Sequence, residues 1–146
     1  MAETHWTPSL VEERLTEAAS VLKRLPEPKL QGYYNLWPRI IYEFSDLVGQ
    51  EPRPMRVLPS PAAISRMEET LDWTIGLDPA DARIVWLRAA GERWKTICWK
   101  VGLQRSAAHE HWLYALCVIA WRLNGRRLNR NHSRRRVIEM TGAAKS

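Results

Sequence analysis

No proline follows Pro79: all nine lie at or before that position, so beyond it no residue is barred from continuing as helix. Acidic residues are almost as scarce there. Residues 79–146 hold 4 Asp or Glu against 14 Lys or Arg, a net of +10. Residues 1–78 hold 12 against 8, a net of −4, and the two halves make up the chain's +6. Like charges gathered this way call for a counter-surface, and phosphate is the natural candidate. Cysteine is nearly absent. Cys98 and Cys117 fall on apolar helical stretches, where a thiol acts as a small hydrophobe, so a disulfide is not expected. No uninterrupted apolar run approaches the roughly 20 residues that a membrane helix needs. Met1 to His5 also lacks a basic segment leading into an apolar one. The expectation is a cytoplasmic, nucleoid-associated protein with no membrane partner.

Catalytic signatures are missing too. His109-Glu110-His111 lacks the four-residue spacing that lets two histidines share a metal, and there is no glycine-rich phosphate loop. No serine or cysteine sits in a recognisable nucleophile setting. We expect no enzyme, no metal site and no cofactor. Cys98, Cys117, His109 and His111 offer zinc-binding residue types, but His109 and His111 project from different sides of a helix and the set does not converge.

What is present reads as helix throughout. Ser9 and Glu12 have capping-box spacing, and Val11, Leu15, Ala18, Leu22 and Leu25 share one face up to Pro26. An aromatic loop over Gly32 to Trp37 precedes a second helix, Arg39 to Val48, which Pro38 introduces and Gly49 ends. After a proline-rich connector, Ser60-Pro61 opens a third helix carrying Ile64, Met67, Leu71 and Ile75, closed by Gly76. Asp78-Pro79 opens a fourth, running through Ala90 to Gly91, with Asp78 as its N-cap. No strand pattern stands out. The fold class is all-α: N-terminal amphipathic helices packed with a C-terminal helix-turn-helix. The division expected is residues 1–77 as a helical accessory or oligomerisation segment, 78–125 as the helix-turn-helix domain and 126–146 as a basic tail.

The helix-turn-helix reading rests on Trp94 to Leu123. Trp94, Ile97, Cys98 and Val101 recur at i, i+3, i+4 and i+7, leaving Arg93, Lys95 and Lys100 outward. Gly102 supplies the freedom a sharp turn needs, and Leu103 can plug the corner. Small residues stand four before the glycine (Cys98) and six after it (Ala108), where two helices must cross closely. The next helix begins polar and is apolar nearly all round from Trp112 to Leu123, so its start is free for a groove. Its end must be covered, by the other helices or by a second copy.

In a major groove, Gln104, Arg105, Ser106 and His109 would reach base edges, with His111 a further candidate. Arg is the natural reader of guanine and Gln of adenine. Glu110 would accept from cytosine or repel phosphate. Phosphate contacts fall to Arg93, Lys95, Lys100, Arg126, Arg127, Arg130, Arg134, Arg135 and Arg136. The plainer alternative for the arginine-rich end is a solvated tail. Most of the eight tryptophans read as packing units rather than base-stacking ones.

The segments Gly91 to Gly125 and Gly32 to Pro38 carry a resemblance. Arg93-Trp94-Lys95-Thr96-Ile97, Trp99-Lys100-Val101-Gly102-Leu103, Arg105-Ser106, Tyr114-Ala115-Leu116 and Ile119-Ala120-Trp121-Arg122-Leu123-Asn124-Gly125 resemble a family of small uncharacterised proteins from alphaproteobacteria and their phages. More loosely, the helix pair is similar to region 4 of sigma factors, which reads promoter DNA through a helix-turn-helix. Gln104 departs from that pattern, which has Ser or Thr as the cap, and Glu110 stands where a basic residue suits DNA. The resemblance implies a fold and a binding mode. The expected function is sequence-specific binding of double-stranded DNA in transcriptional control of phage or phage-like genes, with a homodimer and RNA polymerase as further candidate partners. Two alternatives are a phage packaging protein resembling small terminase subunits and a helical module that docks on RNA polymerase.

Overall fold

The computed structural model describes residues 5–26, 29, 32–33, 58–127 and 131–142. The chain is all-α, and the described residues contain no strand. The helix expected over Arg39 to Val48 and the Gly32–Trp37 loop beyond Tyr33 lie outside them.

Helix α1 (Pro8–Arg24) begins two residues earlier than the Ser9–Glu12 pattern suggested. Thr7 is the cap: its Oγ1 accepts from the Leu10 amide at 3.2 Å. Pro8 accounts for the shift, because its fixed φ and missing N–H suit the first helical position. Val11, Leu15, Ala18 and Leu22 are buried as expected, together with Ala19 and Val21.

Helix α2 (Pro61–Ile75) follows the expected Ser60-Pro61 opening, with the Ser60 hydroxyl accepting from the Ala63 amide at 3.2 Å. Its inward face differs from the aliphatic one read from the sequence. Met67 and Leu71 are buried, but Ile64 is half-buried and Ile75 is 54% exposed, while Thr70 and Thr74 are covered. The helix is rolled toward its threonines because their hydroxyls find acceptors within the same helix. Thr70 Oγ1 donates to the Arg66 carbonyl at 2.7 Å and Thr74 Oγ1 to the Leu71 carbonyl at 3.0 Å. Thr74 in turn accepts from the Trp86 indole at 3.0 Å, so a fully covered tryptophan has its polar tip satisfied.

Helix α3 (Pro79–Ala89) comes next. Ala82, Ile84, Val85, Trp86 and Leu87 are all buried. Asp78 occupies the N-cap position, but its side chain makes no capping bond, and Pro79 alone marks the start. The Lys23 ammonium donates to the Ala90 carbonyl at 2.9 Å, tying the end of α1 to the end of α3. Helices α4 (Trp94–Val101) and α5 (Arg105–Leu123) follow.

The segment expected as a basic tail contains a sixth described helix, α6 (Arg134–Thr141), capped by Ser133, whose hydroxyl accepts from the Arg136 amide at 3.2 Å. Val137 and Ile138 are buried against Cys117, Leu113 and Tyr114 of α5. The plainer alternative, a solvated tail, therefore does not describe this stretch.

The main core crosses the boundary expected at residue 78. Val11, Leu15 and Leu22 of α1, Met67 and Leu71 of α2, Val85 and Trp86 of α3, and Leu116, Ile119 and Ala120 of α5 belong to one cluster. The apolar end of α5 is covered within the chain, by α1 and α3 on one side and α6 on another. No second copy is needed to cover it.

Candidate nucleic-acid interface

Helices α3, α4 and α5 form a compact unit around Ile84, Leu87 and Ile97, closed by Trp94, Val101, Leu103 and Trp112. The turn from α4 to α5 spans Gly102, Leu103 and Gln104. Gly102 adopts the left-handed conformation at φ 72°, ψ 30°, where a side chain would be strained. The amides of Gly102 and Leu103 both donate to the Cys98 carbonyl, at 2.9 and 3.2 Å, which closes α4. Ile97 and Ala108 are fully buried and Cys98 is partly buried.

Gln104 stands at the N-cap of α5 in an extended conformation, and its side chain makes no capping bond. Its amide is exposed and not consumed by the helix end. Arg105, Ser106 and His109 are exposed as well, while Ala108 between them points inward. The four candidate base-reading residues thus share the solvent side of the first turns of α5.

His109 is exposed without being loose. Its ring lies 5.4 Å from that of Trp94 and 5.4 Å from that of Trp112, and the two indoles meet edge to face at 5.5 Å. The Arg88 guanidinium caps Trp94 at 5.1 Å. The cradle fixes the imidazole on the outer surface of α5.

His111 is withdrawn from the candidate readers. It turns toward α3, where its Nδ1 donates to Asp81 Oδ1 at 2.6 Å, with the Asp81 side chain 2% exposed. This pair, buried on the Asp81 side, pins the first half of α5 to α3. Asp81 was invisible as a partner because thirty residues separate it from His111. An Asp in a first helical turn ordinarily reads as a favourable charge near the helix start. Glu110 is half-buried.

Among the candidate phosphate contacts, Arg93 and Lys95 are exposed on or just before α4, and Lys100 is half-buried. Arg126 and Arg127 are exposed just past α5, and Arg134, Arg135 and Arg136 are exposed on the first turn of α6. Arg130 lies outside the described residues. Arg134 sits over the Tyr114 ring at 5.7 Å. Tyr114 follows Arg105 by about 14 Å along the helix axis, at about 1.5 Å per residue. The docking of α6 therefore brings the last arginine run onto the same long helix that carries the candidate readers.

The two cysteines are both free. Burial pushes the Cys117 thiol above its ordinary range, partly offset by the Thr141 hydroxyl 2.9 Å away. Among the described residues, no three metal-ligating side chains come together and no helix is long and apolar enough to cross a membrane. Trp99 breaks the pattern of tryptophans as packing units, being 83% exposed on α4.

An all-helical protein with an exposed, cation-flanked helix start is the class these features define. The chain belongs to the family described as Domain of unknown function (DUF6362), which matches residues 23–119 and so takes in the run from the end of α1 to within four residues of the end of α5. No curated protein and no solved structure matches it.

Proposed function

We propose that this chain is a sequence-specific double-stranded DNA-binding protein acting in transcriptional control, with α5 entering the major groove by its first turns. The observation that carries the reading is the joint exposure of Gln104, Arg105, Ser106 and His109 on one side of α5. From Ala115 to Trp121 that helix is buried in the core. An α-helix fits the major groove, and these side chains match the donor and acceptor patterns of guanine and adenine edges. Arg93, Lys95 and the exposed arginines of α6 supply the sequence-independent attraction to phosphate. A nucleoid-associated cytoplasmic location and action on phage-like genes belong to the same proposal.

Selection from random duplexes tests it. Purified protein should enrich a defined site, and Arg105→Ala should weaken binding to that site by about 1 to 3 kcal/mol while leaving random duplex affinity nearly unchanged. Lys95→Ala should instead weaken all duplexes alike and reduce the salt dependence. Enrichment of no sequence, or a uniform loss for Arg105→Ala, refutes base reading.

A further inference from the structure

Among the described residues, two exposed patches are complementary to each other. On α4, Trp99 is 83% exposed, and Lys95 stands one helical turn before it on the same face. Arg93 and Lys100 flank the pair, and α4 carries no acidic residue. On α2, Ile75 is 54% exposed, with Asp72 one turn before it and, a further turn back, Glu68, whose Oε1 accepts from the Tyr33 hydroxyl at 2.7 Å. One patch is an aromatic anchor beside cationic groups; the other is an aliphatic anchor with carboxylates on the turns before it and the Arg122 guanidinium beside Gly76 at its end.

We propose that copies of this chain associate head to tail, the Trp99 face of one against the Ile75 face of the next. Charge complementarity selects a second copy: the acidic stripe belongs to the half of the chain with net −4 and the basic one to the half with net +10. The order of groups agrees as well. In both helices the charge precedes the apolar residue by one turn, so α4 and a neighbour's α2 meeting side by side and parallel set Lys95 against Asp72 as Trp99 covers Ile75. Because the two surfaces differ, the contact is heterologous and each copy keeps one open face after the first contact. A single tryptophan anchor with a charged rim corresponds to a small, concentration-dependent interface. Association of this kind requires no DNA.

Sedimentation velocity of the full chain alone, from about 10 to about 300 µM at low salt, tests this, since small interfaces dissociate in that range. The weight-average sedimentation coefficient should rise with concentration, and less so at about 500 mM salt, where exposed charges are screened. Trp99→Ala and the double variant Asp72→Lys with Ile75→Ala should each weaken association by more than about tenfold, as expected for loss of an anchor. Circular dichroism should show both folded, since these side chains are exposed. An equimolar mixture of the two variants should form dimers and nothing larger, because each retains the face the other lacks. A monomeric wild type, a variant that associates like the wild type, or a mixture that stays monomeric overturns the proposal. A monomeric wild type whose Trp99→Ala variant loses DNA affinity would assign the patch to nucleic acid instead.

Discussion

Gly76 and Gly102 both follow a helix, yet an added methyl group meets a different obstacle at each. At Gly76 the backbone is ordinary, with φ −84°, and a Cβ would fall 2.7 Å from Nη1 of Arg122, the free-swinging end of a long side chain. At Gly102 nothing lies within 4 Å, but φ is +72°. Gly76→Ala is therefore expected to change stability by less than about 0.5 kcal/mol and Gly102→Ala to cost about 1 to 2 kcal/mol, read from urea midpoints. The Asp81–His111 pair gives a second contrast. His111→Ala leaves a carboxylate buried without its donor and should cost about 3 kcal/mol. Asp81→Asn should cost less, because the amide oxygen still accepts from the ring. A His111→Ala loss below about 1 kcal/mol would mean that the pair does not hold α5 to α3.

Helix ends test how these elements are specified. Thr7→Ala should remove about 1 kcal/mol of stability and Ser9→Ala almost none, since Thr7 bonds the Leu10 amide while Ser9 is an exposed residue inside α1. The reverse order in thermal melts would restore the capping box read from the sequence. Much of the helical layout was legible, because Pro8, Pro61 and Pro79 each stand at a first helical position and Gly76, Gly91 and Gly102 each follow a helix. The inward face of α2 was not, because threonines that bond their own helix's carbonyls bury as readily as isoleucine and look polar in a periodicity count. Helix α6 was hidden by its arginines. Ser133 as cap, Val137 and Ile138 as one apolar face and Gly142 as stop were all present. The exposed start of α5 could be read from residue types alone, whereas the inward turn of His111 depended on a residue thirty positions away.

At the scale of the whole molecule, α5 is the element around which the others assemble. Helices α1, α3, α4 and α6 all pack on it. Truncation after His132 removes α6 and uncovers Leu113, Tyr114 and Cys117. The shortened chain should melt at a lower temperature. Its Cys117 should also react with iodoacetamide at a rate approaching that of Cys98, as the thiol loses the burial that holds its pKa up. In the full chain Cys98, only partly covered, should be labelled first, and peptide mass spectrometry reads the ratio. Cys117 modified as fast as Cys98 in the intact protein would contradict the docking of α6.

The Asn124 side chain grips the Trp6 backbone from both sides: its amide donates to the Trp6 carbonyl at 2.9 Å, and its carbonyl accepts the Trp6 N–H at 2.9 Å, across 118 positions. Beside this clasp, Trp6 meets Trp73 edge to face at 5.1 Å under the Arg14 guanidinium. During synthesis, the first helix must wait for residue 124 to leave the ribosome before its leading end can be fastened. Nascent chains that stop short of α5 would carry α1 and α2 packed on each other but lacking Leu116, Ile119 and Ala120 to complete their core, that surface staying available to chaperones and proteases until the final turns of α5 arrive.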